Sequence, residues 1–142
     1  RFNVTLRKAD AKKLGQEAAL FVDIYNRALI ATWGFVPLSP AEAQHIAQSI
    51  KLLIEPDVTT IIEVDGRPVG VALGMLDYNP IIKRIDGRLF PFGFLSILFG
   101  RKKIKRIRMI SSNILPEFQR WGLGLVALER MLPDALKRGI EE

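Results

Sequence analysis

The residues best suited to chemistry lie between Ile107 and Gly124, where Ile-Arg-Met-Ile-Ser-Ser-Asn-Ile-Leu-Pro-Glu-Phe is followed by Gln119-Arg120-Trp121-Gly122-Leu123-Gly124. The β-branched residues predict a strand, Pro116 breaks it, and the residues after Gly122 have helical spacing. A strand that passes through a short glycine-bearing loop into a helix has the parts a phosphate site needs. Glycines let the backbone approach a bulky anion, while the unpaired amides and positive dipole end of the helix face the negative charge. Arg120 and the loop amides would converge on a pyrophosphate. The spacing lacks the earlier glycine of G-x-G-x-x-G, and no Gly-Lys-Ser or Gly-Lys-Thr follows, which argues against dinucleotide and Walker-type loops.

Other chemistries have little to work with. The 142 residues contain no cysteine and one histidine, so thiolate, disulfide and zinc chemistry are poor fits and no metal site is expected. His45 lies in a predicted helix away from the loop and reads as a surface or half-buried residue. The net charge of +6 favours anionic partners without choosing among them. The cluster Arg101-Lys102-Lys103 with Lys105, Arg106 and Arg108 could steer phosphates or touch nucleic acid, but a solvated strand edge is the simpler reading. The most apolar run, Leu89 to Gly100, is too short to span a bilayer, which takes about twenty residues. With no signal-peptide pattern either, a cytoplasmic location is the expectation.

The elements that must position the loop follow from periodicity. Phe2–Arg7 alternates as a strand with one buried face. Leu14, Ala18, Phe21, Val22, Tyr25, Leu29 and Trp33 mark one stripe of a long helix stopped by Gly34 and Pro37. Ser39-Pro40-Ala41-Glu42 is a capping-box start for a second helix reaching about Ile54. Val58–Val64 and Arg67–Leu76 flank Asp65-Gly66, a strong hairpin signal. Residues 77–101 read as an insertion with one or two short helices. A strand over Lys103–Ile114 precedes a last helix that turns Leu125, Leu128, Met131, Leu132 and Leu136 inward and is kinked or split by Pro133 near Arg130–Leu132. Trp33 and Trp121 suit core and loop packing. The whole chain, 1–142, reads as one domain of α/β order, or part of one.

Gln119-Arg120-Trp121-Gly122-Leu123-Gly124 resembles the cofactor motif of the GNAT superfamily: Gln or Arg, two residues, Gly, one residue, then Gly or Ala. Ile114-Leu115-Pro116-Glu117-Phe118 is similar to that family's lead-in, and the order of elements matches over nearly the whole chain except residues 77–101. The resemblance implies an acyl-CoA N-acyltransferase fold, a mixed, mostly antiparallel sheet flanked by helices. It implies acetyl-CoA as cofactor and transfer of the acetyl group to a small-molecule or peptide amine by direct attack. Ser112, Asn113 and Ile114 would flank the pantetheine arm, the Ile114 amide would polarise the thioester carbonyl, and Gln119 to Gly124 would hold the pyrophosphate. Glu63, Asp77 and Tyr78, on or after the hairpin, are candidates for the base that takes the amine's proton.

The family also carries a further strand, another helix and a final strand pair after the loop helix, with a tyrosine that protonates the leaving thiolate. These are expected to be deleted, cleaved or supplied by another chain, and no residue here takes the tyrosine's role. A non-catalytic acyl-CoA-binding module and a basic nucleic-acid-binding protein are the rivals, the second disfavoured. The run Leu89–Phe99 reads first as a buried or lid-like insertion and next as a membrane-surface or dimer contact, and homo-oligomers are a possibility left open.

Overall fold

The computed structural model describes residues 2–88 and 90–141; Leu89, at the head of the apolar run, lies outside them, as do Arg1 and Glu142. The hairpin organises the rest. Strands β2 (Thr59–Val64) and β3 (Arg67–Leu76) are joined by Asp65 and Gly66, both at positive φ, 51° and 78°, as a two-residue turn matched to strand twist requires. β1 (Val4–Lys8) adds to β2 and β4 (Ile107–Ile114) adds to β3, so the order is β1-β2-β3-β4, antiparallel at every pairing.

Helix α1 (Leu14–Ala28) and helix α2 (Pro40–Ile50) cover one face, where Phe21 and Val22 approach Leu73 and Ser111. Helix α5 (Leu123–Lys137) covers the other, where the Thr60 hydroxyl reaches the Ala127 carbonyl at 3.4 Å. Coverage on both faces explains why β2 and β3 are buried almost without alternation. The core joins Ile61, Ile62, Val69 and Val71 to Phe21, Ile24, Leu115 and Met131. Between β3 and β4, helices α3 (Asn79–Arg84) and α4 (Gly93–Gly100) form the expected excursion, which a 3₁₀ turn at Arg101–Lys103 returns to β4.

The capping box of α2 is present: Ser39 Oγ accepts from the Glu42 amide at 3.4 Å, and the Glu42 carboxylate accepts from the Ser39 amide at 2.8 Å. The Glu42 carboxyl is held below its ordinary pKa because it also accepts from the Ser39 hydroxyl at 2.7 Å, the larger cause, and from the Ser39 amide, the smaller. Several boundaries and faces differ from expectation. α1 stops at Ala28, and Trp33 is 97% exposed in the following turn, outside any core. α2 stops at Ile50, four residues short of the expected end. β4 starts at Ile107, because Arg101–Lys103 is helical. Pro133 does not split α5, which runs unbroken through it. The buried stripe of α5 is Leu123, Ala127, Met131 and Ala135, whereas Leu125, Leu132 and Leu136 are exposed. That helix is apolar on two faces, and periodicity cannot say which one meets the sheet.

Candidate functional site

The site is built where β4 runs into α5. The Leu115 amide donates to the Val69 carbonyl at 2.8 Å, so by antiparallel alternation the amides of Ile114 and Ser112 point away from β3. No described strand pairs with that edge of β4. Pro116–Trp121 is a 3₁₀ turn that leads to Gly122, whose φ of 69° and ψ of 13° are left-handed, a conformation that costs a side-chain-bearing residue about 1–2 kcal/mol. Gly122 is the N-cap of α5, and no side chain caps that helix start. Its amides are left for another acceptor. Two residues on, a Cβ at Gly124 would stand 3.3 Å from Ser112 Oγ and 3.7 Å from Ile114 Cδ1, so the helix start lies directly against the strand.

Around this junction each expected loop residue has a distinct place. Gln119 is exposed but folds back on the chain: its Nε2 donates to the Ile114 carbonyl at 3.0 Å and the Ala28 carbonyl at 3.4 Å, pinning the loop to the strand and to α1. Leu123 is buried in the core, so only its backbone can face a ligand. Trp121 packs on Phe118 and Phe2 with ring centroids 5.0 and 4.9 Å away. Arg120 is exposed, with no ion-pair partner among the described residues. Asn113 is buried on the α1 and α2 face, hydrogen-bonded to Ser111 Oγ, opposite the face that carries Ser112 and Ile114.

On that opposite face β4 carries a bulge. Leu73 pairs with Ser111 and Gly74 with Met109, which leaves Ile110 without a partner and turns both Ile110 and Ser111 toward α1 and α2. They line a cleft of about 490 Å³ with Phe21, Tyr25, Ile46 and Leu53. A second cleft, of about 580 Å³, continues from it toward α4. Leu53, Met75 and Ile110 line both, so the two make one apolar trench from the middle of β4 to the excursion.

The candidate bases separate in space. Asp77 and Tyr78 line the second cleft, whereas Glu63 faces β1, where Arg7 binds it at 2.7 Å and binds Glu17 of α1 at 2.7 Å. Asp77 Oδ1 accepts from the Asn79 amide at 3.1 Å and stands 3.4 Å from Arg108 Nε. The Asn79 backbone bond is the main cause holding its carboxyl below the ordinary range, which makes it a weak base. Burial pushes the Tyr78 phenol upward, so it keeps its proton at neutral pH. His45 is exposed on α2. Within the basic cluster, Arg101 pairs with Glu55, Lys105 with Glu141 at 2.6 Å and Arg108 with Asp77.

Two features carry no sequence signal. The bulge at Ile110 appears only in the pairing register. Glu55, 4% exposed, is held by Arg101 from beside α4 and by Arg138, at 2.7 Å, from the end of α5, partners 46 and 83 residues away.

No protein-family model matches the chain. It is 33% identical over 132 residues to the bacterial ceramide synthase of Caulobacter vibrioides, covering 92% of this chain and 33% of that protein. It is 31% identical over 139 residues to protein YghO of Escherichia coli, covering 96% of this chain and 35% of that one. The chain thus spans about a third of the length of both relatives. Among solved structures, a GNAT-family acetyltransferase from Streptococcus pneumoniae superposes with a TM-score of 0.53 at 18% identity, over 97% of this chain and 70% of that one. Diaminobutyrate acetyltransferase from Paenibacillus lautus, in complex with its substrate and coenzyme A, superposes with a TM-score of 0.51 at 13% identity, over 99% and 63%. The chain has the GNAT acyl-CoA N-acyltransferase fold.

Proposed function

We propose that this chain forms the acyl-CoA-binding part of an N-acyltransferase that joins an acyl group to an amine. One observation carries the reading: the outward amides of Ser112 and Ile114 lead along β4 into the uncapped, glycine-led start of α5. The residues fit an extended thioester cofactor. Edge amides suit the amide-bearing pantetheine arm, and a helix start without a side-chain cap suits a pyrophosphate. Bound acyl-CoA would supply the thioester; the protein's part is to orient it. The Ile114 amide is placed to donate toward the thioester carbonyl, where negative charge develops as the amine attacks. Gln119 acts as a brace for that amide, since it holds the carbonyl of the same residue.

The ion pair of Glu63 with Arg7 and the retained proton of Tyr78 argue against either as the base. Asp77, ionised at neutral pH, suits the binding of an ammonium better than its deprotonation. That task falls to water relayed through the cleft.

The acceptor is a lipid amine rather than a short polar one. The trench on the α1 and α2 side of β4 is lined by Leu53, Met75 and Ile110, and a relative is a bacterial ceramide synthase, a ceramide being in general an amide of a long-chain amine. Calorimetry tests the cofactor reading: coenzyme A should bind, and Gly124→Val should weaken binding at least about tenfold with the fold intact, because its methyls enter the gap to Ser112 and Ile114. Unchanged affinity would exclude the loop as the pyrophosphate site. Thiol release in the natural full-length protein, compared between a long-chain amino alcohol and a short hydrophilic amine, tests the acceptor; preference for the short amine would refute the lipid assignment.

A further inference from the structure

We infer that the α3–α4 excursion is a docking surface for an anionic lipid bilayer, at the far end of the trench. The argument begins with the contacts that glycine makes. A Cβ on Gly93 would run into the Arg88 carbonyl, and one on Gly100 would stand 2.6 Å from Ile81 Cδ1, so α4 meets its own excursion through its two glycines. The large side chains are left to point elsewhere. Phe90, Phe92, Leu98 and Phe99 are exposed, by 83, 71, 61 and 71%, and Gly93 is the one buried residue of α4. A helix with its glycines inward and its phenylalanines outward reverses the pattern of a water-facing surface helix. Ile97 and Leu98 also line the second cleft, so the patch is continuous with the trench.

Charge selects the occupant. Between Tyr78 and Pro116 the sequence has one carboxylate, Asp86, against nine lysines and arginines. Lys83, Arg84 and Arg88 precede the patch in the chain and Lys102 and Lys103 follow it, all exposed and without an ion-pair partner among the described residues. A second copy of the chain would bring like charges face to face. An anionic bilayer answers both features, taking the aromatic side chains at the headgroup boundary and the cations at the phosphates. The excursion is a fixed platform, because Arg101 at its end is bound to the buried Glu55. A long-chain amine in that bilayer would reach the trench without crossing water. Only this last step rests on the acyl-transfer reading.

The test is flotation of the purified protein with phosphatidylcholine vesicles, with and without phosphatidylglycerol. Coenzyme A binding, measured in the same preparations, reports the cofactor reading separately. Binding is expected to anionic vesicles, weakened about tenfold by Leu98→Ser with Phe99→Ser and to a similar extent by Lys102→Ser with Lys103→Ser. Coenzyme A affinity should survive the first pair, whose exposed side chains take no part in the core. No vesicle binding, equal binding to neutral vesicles, insensitivity to the first pair, or self-association through this face in place of lipid binding would each overturn the proposal. Loss of coenzyme A binding with flotation intact would count against the acyl-transfer reading and leave the docking surface standing.

Discussion

Helix α4 begins at a glycine, helix α5 directly follows one, and both approach their neighbours through glycine, yet they present opposite chemistries. In α5 the left-handed Gly122 and the close-set Gly124 bring a row of backbone amides against an open strand edge, while Leu123, Ala127 and Met131 anchor the helix in the core. In α4, Gly93 and Gly100 are the contacts themselves, and the side chains that would ordinarily anchor a helix face outward. A glycine therefore says that something comes close. Whether that is a ligand or the chain's own backbone depends on where the large neighbours point.

The largest expected effect falls on the joint between the two regions. Glu55 is the carboxylate that Arg101, beside α4, and Arg138, beyond α5, share. Its removal leaves Arg101 without its partner and Arg138 with only the longer pair to Asp57, at 4.0 Å; because both guanidiniums retain solvent contact, the cost should fall below that of a fully buried pair, at about 2–3 kcal/mol. Urea unfolding of Glu55→Ala measures it. Vesicle binding should drop as well, since the platform loses its tether, whereas coenzyme A affinity should change less than about twofold, because the start of α5 is held by Leu123 and Ala127. An unchanged urea midpoint would show that the clamp contributes nothing and that α4 is held by other means.

A smaller and sharper contrast comes from a methyl group placed in each region. Gly122→Ala puts a Cβ at positive φ, a strain of about 1–2 kcal/mol, so coenzyme A affinity should fall about tenfold if the loop shifts to relieve it. Gly93→Ala pushes a Cβ into the Arg88 carbonyl, a backbone atom that cannot rotate away, and should displace α4 and weaken vesicle binding. Each variant should leave the other readout unchanged. Crossed effects, with Gly93→Ala lowering coenzyme A affinity as much as Gly122→Ala does, would mean that the regions form one site.

What the sequence discloses follows the same division. The Ser39–Glu42 cap has its partners three residues apart, and the Asp65–Gly66 turn is set by the backbone of its own two residues although Asp65 also bonds Asn3; both form as expected. The loop was legible because a strand, a proline and two glycines lie in order. The facing of α5 was not, since Leu125, Leu132 and Leu136 are as apolar as the stripe that is buried. Trp33 reads as a core residue by type, but α1 ends five residues before it. The Glu55 clamp, the Ile110 bulge and the trench depend on pairings between distant segments, which periodicity does not encode.

The smallest effect tests whether the basic cluster acts on coenzyme A at a distance. Lys102 and Lys103 are exposed, and Lys105 pairs with Glu141 across solvent, with both side chains nearly two-thirds exposed, so none is fixed toward the loop. Their influence on the cofactor's phosphates should therefore be long-range attraction, which decays over about 10 Å at 0.1 M salt and about 3 Å at 1 M. Neutralising all three is expected to weaken coenzyme A binding about two- to threefold at low ionic strength and to have almost no effect at high salt, as read by calorimetry across a salt series. The loop should be less salt-sensitive, because its amides act by contact. The same lysines should matter more for vesicles, where the phosphates lie beside them. Equal losses of coenzyme A affinity at low and high salt would make the lysines direct ligands, extend the cofactor site onto the excursion, and erase the separation between a polar loop that holds coenzyme A and a basic, aromatic face that meets lipid.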